Sequence, residues 1–222
     1  RITNGLSYYG RSLADRRRFK TTLSLLSALA KPILWVLSRN PADLVRASFT
    51  YEGVTGPKDS CGDENYQAAA SYEPGPEDVF IATQMKCGTT WMQHLVSQIL
   101  TRGEGDLVES GQAMYAVSPW IESRKSVSME EAKLVGEPPR RVIKTHLPTQ
   151  LCPFGDSARY IYVVRHPVSC FASTVDFVLM NLGSFTIPVE SLEKWFCSDQ
   201  MWWSTWPDHV CGWWRWSQEK SN

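Results

Sequence analysis

Residues 79–93 read VFIATQMKCGTTWMQ, and this stretch decides the fold. Its first five residues predict a short buried strand, and the residues after the turn have the apolar spacing of a helix that ends near Thr101. A strand that turns through Lys86 and Gly88 into a helix N-terminus directs backbone N–H groups and the positive end of the helix dipole at one point. The stretch therefore predicts a loop that binds a phosphate group.

The order of residues within the loop argues against a nucleoside triphosphatase. That class needs G-x-x-x-x-G-K-[ST], with Lys directly after the second Gly. Here Lys86 comes two residues before Gly88, and no earlier Gly has the required spacing. A P-loop kinase is disfavoured by the same Lys position and by the lack of an evident carboxylate for magnesium.

Four segments in chain order resemble the cytosolic-type sulfotransferases that use 3'-phosphoadenosine 5'-phosphosulfate (PAPS). The first is residues 86–91, KCGTTW, which is similar to the Lys-Ser-Gly-Thr-Thr-Trp loop of that family with Cys87 in place of Ser. The other three are residues 141–148 (RVIKTHLP), 160–167 (YIYVVRHP) and 206–214 (WPDHVCGWW). Four matches in one order, over about residues 75–220, are far more specific than any one of them.

This resemblance implies a donor site for PAPS as co-substrate. Arg165 and Ser173, eight residues apart, would hold the 3'-phosphate, and Trp91 would stack on the adenine. An arginine suits this task because its fork of donors binds phosphate bidentately. The residues that would hold the 5'-phosphate and the sulfuryl group are Lys86, Cys87, Gly88, Thr89 and Thr90.

The resemblance also assigns the catalytic residues His146, Lys86 and Lys144. An imidazole titrates near neutral pH, so His146 would accept the proton of the attacking group. Lys86 would stabilise charge on the bridging oxygen of the donor, and Lys144 the sulfuryl oxygens. His94, His166 and His209 lack comparable support and are expected to be non-catalytic. No metal is needed for this chemistry, and no His/Cys group has metal-ligand spacing.

The expected fold class is α/β, a P-loop-like parallel β-sheet flanked by helices on both faces. The short apolar strands Val79–Ala82 and Tyr160–Val164 are of the type buried on both faces of a parallel sheet. Ligands in such folds bind outside the carboxyl ends of the strands. The predicted divisions are a basic and apolar arm with a helix over 1–52, a linker over 53–78, and a sulfotransferase domain over 79–222.

The family pattern continues with a strand carrying a Tyr-Glu-Asp-Met-like segment and a late Arg-Lys-Gly loop that closes over the nucleotide. Neither motif occurs before the last residue, Asn222. We therefore expect the C-terminal portion of the domain to be missing. An isolated chain of this kind is predicted to be a poor enzyme and a marginal fold.

The N-terminal arm is basic. Residues 1–50 hold nine Lys/Arg against two Asp/Glu, a net +7, so the neutral whole leaves −7 for the rest. The apolar run Leu23–Leu37 is shorter than the roughly 20 residues of a membrane span and contains Lys31-Pro32. It is expected to pack on the domain or to contact a membrane surface peripherally, with a membrane anchor as the alternative.

Composition bounds the partners and the compartment. Lys plus Arg equal Asp plus Glu at 23 each, which gives no indication of a nucleic-acid partner. Six cysteines lack a C-x-x-C motif or scaffold spacing, which favours small buried thiols and a reducing, cytoplasmic location. The oligomeric state is left open.

Three local patterns give structural expectations. In the first helix, Trp91, Leu95 and Ile99 lie four apart with Met92 and Val96 beside them, and this side is expected to face the core, unless Trp91 takes the adenine role. Ser128-x-x-Glu131 is typical of a capping box that opens a short helix. The segment from 195 to 216 holds seven of the ten Trp, which indicates core, with an aromatic wall for an apolar acceptor as the alternative.

The leading functional hypothesis is transfer of the sulfuryl group from PAPS to a hydroxyl or amine of a small, apolar or aromatic molecule. The alternative is a protein that binds the nucleotide without catalysing transfer.

Overall fold

A computed structural model describes residues 47–104, 114–182 and 188–220. Residues 1–46 of the N-terminal arm, with the helix and the membrane contact predicted for it, lie outside the described residues. Within these three ranges, no helix has both the length and the apolar character needed to cross a membrane.

In the described ranges, five strands form two sheets. An antiparallel hairpin joins β1 (Ser48–Tyr51) to β2 (Val54–Pro57), and a parallel sheet in the order β4-β3-β5 contains β3 (Asp78–Thr83), β4 (Arg141–Thr145) and β5 (Arg159–Val163). The predicted strands of the sheet are confirmed to within about a residue at each end. Because all three strands of this sheet are parallel, their carboxyl ends meet at one edge.

Six helices lie in the described part of the chain. They are α1 (Asp63–Ala70), α2 (Thr89–Leu100), α3 (Met114–Val117), α4 (Pro167–Leu182), α5 (Val189–Phe196) and α6 (Trp206–Glu219). Proline suits the first turn of a helix, because its ring fixes φ and the N–H it lacks would have no partner within the helix at that position. Pro167 begins α4, as the sequence predicts.

The parallel sheet packs on both faces. Alternate residues of β3 point to opposite sides. Ile81 belongs to a small cluster with Val96 of α2, whereas Phe80 belongs to the main core, which includes Trp213 of α6. The predicted α/β class, with helices on both faces, is confirmed.

Residues 53–78 are structured between Val54 and Ala70, where the composition predicts a surface linker. All four residues of β2 are buried, and the Tyr66 side chain of α1 is fully buried. Glycine serves here for geometry rather than for flexibility: Gly53 takes the left-handed φ of +79° in the hairpin turn, and Gly56 lies directly against Tyr66. The outer domain boundaries stay predictions.

The predicted capping box forms without the predicted helix. The N–H of Glu131 donates to the Ser128 hydroxyl at 3.3 Å, and the N–H of Ser128 donates to the Glu131 carboxylate at 3.4 Å. Only a turn follows, because the chain then enters a bridge between Val135 and Arg140 whose turn uses Gly136 at a φ of +80°.

The core face predicted for α2 is wrong for the row of Trp91, Leu95 and Ile99, although the flanking Val96 is buried. Trp91 is 80 % exposed and Ile99 65 %, whereas the buried side is formed by Gln93, Val96 and Ser97 with Thr89 at the N-terminus. Polar partners hold this side inward, since the Gln93 amide donates to the Ser118 hydroxyl at 2.8 Å. The spacing of apolar residues in the sequence does not predict hydrogen bonds between buried polar side chains.

Candidate active site

The predicted phosphate loop lies between β3 and α2 at the carboxyl edge of the sheet. Lys86 and Gly88 take φ values of +62° and +106°, and a Cβ at Gly88 would meet no atom within 4 Å. No described side chain caps α2, whose first-turn N–H groups also lack partners within the helix. The Cys87 N–H is not available in the same way, because it donates to the Gln84 carbonyl at 3.3 Å.

The two threonines of the loop differ. Thr90 is exposed beside the open N–H groups, while Thr89 is buried and its hydroxyl lies 2.6 Å from the hydroxyl of Thr83. Thr83 is the last residue of β3 and also contacts the candidate base, His146. The phosphate loop and that base are therefore connected through one buried threonine.

His146 follows β4 directly, and its hydrogen bonds fix its tautomer. Nδ1 lies 2.8 Å from the carbonyl oxygen of Thr83. A carbonyl oxygen can only accept, so Nδ1 carries the proton and Nε2 carries the lone pair. Burial, followed by the charge of Lys144, lowers the pKa of His146 well below its ordinary value. The imidazole is thus neutral at pH 7, with Nε2 able to accept a proton.

Lys144 is buried one residue before Thr145 at the end of β4. Its ammonium lies 3.5 Å from the centroid of the Trp120 ring, a cation–π contact. Burial lowers the pKa of Lys144 to about 7, against the opposing effects of Glu122 and Cys61. The charge of Lys86 lowers the pKa of Lys144 further.

Lys86 and Arg165 form the exposed, cationic side of the site. Arg165 follows β5, and its guanidinium donates to the Lys86 carbonyl at 3.1 Å. Burial and the charge of Arg165 together lower the pKa of Lys86, whose ammonium lies 4.5 Å from the Phe177 ring centroid. Ser173 lies on α4, partly buried. This side of the site therefore concentrates positive charge where an anion would bind.

His209 and Tyr162 were not predicted to belong to the site, yet they hold it. His209 Nε2 donates to the His146 carbonyl at 2.9 Å, and Nδ1 accepts from the Tyr162 hydroxyl at 2.9 Å. His209 is fully buried, and burial lowers its pKa to about 4, so it stays neutral. It is a positioning residue. Its place within the WPDHVCGWW segment was the only signal of this role in the sequence.

Aromatic rings line the His146 side of the site. Trp203 lies 4.8 Å and Trp120 5.4 Å from the imidazole, centroid to centroid. Of the seven clustered Trp, Trp195, Trp202, Trp203 and Trp213 are buried, so the core interpretation holds for these. Trp203 combines both roles, being buried and in contact with the candidate base.

Comparison with known proteins identifies the family of the chain. The profile described as "Sulfotransferase domain" matches residues 76–222, more than half of the chain. The chain belongs to the sulfotransferase family. Among the described residues of this sulfotransferase chain, no group of His, Cys, Asp and Glu could hold a metal ion.

The similar proteins include enzymes from several mammals. Human Sulfotransferase 1C2 is 31 % identical over 162 residues, which cover 68 % of the chain and 53 % of that protein. Sulfotransferase 2A1 of Macaca fascicularis is 32 % identical over 146 residues, which cover 62 % of the chain and 48 % of the relative. The chain thus spans about half the length of the curated relatives it matches.

Solved structures share the fold. Mouse sulfotransferase SULT7A1, complexed with PAP, matches with a TM-score of 0.57 and 21 % identity over 76 % of the chain and 58 % of that structure. Retinol dehydratase, in a complex with retinol and PAP, matches with a TM-score of 0.59 and 18 % identity over 81 % of the chain and 65 % of that structure.

Two residues of the loop region, Gln84 and Cys87, make buried contacts across the fold of this sulfotransferase. Gln84 is fully buried and its amide donates to the Trp202 carbonyl at 3.1 Å, so it ties the loop to the segment that carries Trp203. The Cys87 sulfur lies 3.7 Å from the Cys170 sulfur of α4, and both thiols are buried.

Proposed function

We propose that this protein transfers the sulfuryl group of PAPS to a hydroxyl or amine of a small molecule, with His146 as the general base. One observation carries the proposal. The carboxyl edge of the sheet brings together an imidazole whose Nε2 carries the lone pair, the ammonium groups of Lys86 and Lys144, and a helix N-terminus without a side-chain cap.

The donor side fits a nucleotide with two phosphate groups. The open N–H groups of α2 and the exposed Thr90 suit the 5'-phosphate, as helix N-termini commonly bind anions. Arg165, exposed and anchored on the Lys86 carbonyl, suits the 3'-phosphate together with Ser173. The indole of Trp91 is 80 % exposed and therefore available to stack on adenine.

The proposed chemistry balances at these residues. A bond forms between the acceptor oxygen or nitrogen and sulfur, and the bond between sulfur and the bridging oxygen breaks. His146 takes the acceptor proton at Nε2. Lys86 stabilises the negative charge that grows on the bridging oxygen, and Lys144 stabilises the sulfuryl oxygens.

The acceptor is expected to be small and largely apolar. Trp120 and Trp203 flank His146 and would offer ring faces to it. Retinol dehydratase, which shares the fold, is known in complexes with retinol and with androsterone. An apolar hydroxyl compound of that kind is the natural first choice to test here. The reducing, cytoplasmic location stays a prediction, for which four buried free cysteines are the support.

Transfer of label from ³⁵S-PAPS to a panel of phenols, alcohols and amines tests the proposal. We expect turnover with the wild-type protein and its loss in His146→Asn, whose amide can keep a hydrogen bond to the Thr83 carbonyl while lacking Nε2. If the wild type binds adenosine 3',5'-bisphosphate (PAP) but transfers no label to any acceptor, the alternative of a nucleotide-binding protein without transfer activity is correct.

A further inference from the structure

Glu122 is a fully buried carboxylate next to the proposed base. It follows the segment at Trp120 that pairs with β4, where the Ile121 N–H donates to the Lys144 carbonyl at 3.1 Å. Its Oε1 accepts the backbone N–H of His146 at 2.7 Å. An ionised carboxylate at 0 % exposure needs hydrogen bonds and a nearby positive charge, because burial removes its hydration.

The structure supplies both. The His146 N–H donates to the carboxylate and the Lys144 ammonium attracts it, and both oppose the rise in the pKa of Glu122 that burial causes. The attraction is mutual, since Glu122 raises the pKa of Lys144 against its own burial. The remaining titratable groups that interact with Glu122 are Cys61, Tyr66 and Cys152.

Those three groups do not replace Lys144 as a counter-charge. A thiol or phenol is neutral or negative, and burial raises the pKa of each of them. Lys86 carries the same charge as Lys144 and lowers the pKa of Lys144. His209 is neutral at pH 7 and contacts His146 rather than Glu122. Lys144 is therefore the cation that matches Glu122 within this cluster.

We propose that Glu122 is a positioning residue of the transfer site: its carboxylate anchors the main chain at His146 and is the counter-charge of the Lys144 ammonium. This inference rests on the proposed function for its catalytic meaning. The anchoring and the pairing can be measured without turnover.

Glu122→Gln separates charge from shape. The amide oxygen can still accept the His146 N–H, but the counter-charge of Lys144 is gone. The pKa of Lys144 then falls, because burial and Lys86 already favour its neutral form. Glu122→Asp is the converse change, since it keeps the charge and shortens the reach to His146.

The experiment follows the titration of Lys144 by NMR in protein labelled with ¹³C-lysine, with the signal assigned by Lys144→Met. We expect Glu122→Gln to lower the Lys144 pKa by about one unit or more, a tenfold change in the ratio of ammonium to amine at a given pH. An unchanged Lys144 pKa overturns the pairing. The matched control is Asp78→Asn, which removes a buried carboxylate paired with Arg141 at the opposite edge of the sheet and should leave Lys144 unaffected.

Turnover supplies the second readout. In a plot of single-turnover rate against pH, the fall in rate on the alkaline side should move to lower pH in Glu122→Gln. The fall on the acidic side, which His146 sets, should stay in place. Glu122→Asp should lower the rate at every pH without moving either fall. If the alkaline fall in rate occurs at the same pH in wild type and Glu122→Gln, the positioning role is contradicted. A wild type without turnover refutes the proposed function alone, and the Lys144 titration still decides the pairing.

Folding of the variants is a third readout. If Glu122→Gln does not fold, the double variant Glu122→Gln, Lys144→Met removes both buried charges together and should recover a folded state. Failure of the double variant to be more stable than Glu122→Gln overturns the pairing.

Discussion

At the scale of single residues, the site depends on hydrogen bonds that decide where one proton sits. The Thr83 carbonyl fixes the proton of His146 on Nδ1, and His209 holds the His146 carbonyl from the other side. Thr83 and His209 are both fully buried. The proposed base is therefore held in the tautomer that leaves Nε2 able to accept a proton.

Replacing the base should separate chemistry from binding. We expect His146→Asn to lower the single-turnover rate by about 10²–10⁴-fold with little change in PAP affinity, because the base acts on the acceptor. Lys86→Ala should lower the rate by about 10²–10³-fold and weaken donor binding as well. Rapid-quench kinetics and calorimetry measure the two effects. A His146→Asn variant with wild-type rate would remove His146 from its role.

The sequence could predict residues that the structure brings together at the candidate site, but not the buried residues that hold them in place. Lys86, His146 and Arg165 each stand in a short segment with a recognisable order and follow a predictable strand. Glu122 and His209 act across the fold: the first lies 24 residues from its partner and the second 63. No local spacing encodes such contacts, so only the packed structure shows them.

At the scale of the elements, α2 is oriented by polar groups. Thr89 is bonded to Thr83 and Gln93 to Ser118, and these pairs turn the more apolar row of the helix to solvent. The sequence predicted the bounds of the helix because Gly88 and Gly103 delimit it. It could not predict the buried side, because apolar spacing alone assumes that the apolar row faces inward.

Two matched substitutions on α2 test this orientation. Val96→Ala, at 7 % exposure, should lower the free energy of unfolding by about 2 kcal/mol through lost apolar burial. Ile99→Ala, at 65 % exposure, should change it by no more than about 0.5 kcal/mol. Urea unfolding measures both. A larger loss in Ile99→Ala than in Val96→Ala would show that the predicted core face was right.

At the scale of the whole molecule, buried neutral imidazoles make stability depend on pH. His209 has a pKa of about 4 in the fold, against 6.5 in the unfolded chain. Above pH 6.5 both states hold it neutral, and its contribution to stability is complete. Between pH 6.5 and about 4 only the unfolded chain binds the proton, so the free energy of unfolding falls, by about 3 kcal/mol in total for this group.

Chemical unfolding at a series of pH values checks this loss. His209→Gln should be less stable at pH 7, because the bond to the His146 carbonyl changes, and should lose less further stability on acidification. His166→Gln, at an exposed position beside Arg165, is the control for removal of a histidine from the chain. Equal slopes in wild type and His209→Gln would contradict the assignment of a buried neutral imidazole.

The central claim is that the carboxyl edge of the sheet binds a nucleotide with a 3'-phosphate. Calorimetric titration of the protein with PAP and with 5'-AMP tests it most directly. We predict that PAP binds roughly 10- to 100-fold more tightly than 5'-AMP, because one charge-assisted contact with a phosphate contributes about that factor. Arg165→Ala should lose most of this preference. Arg159→Ala, at the opposite end of β5, should keep it. Equal affinity of the wild type for the two nucleotides would contradict the account.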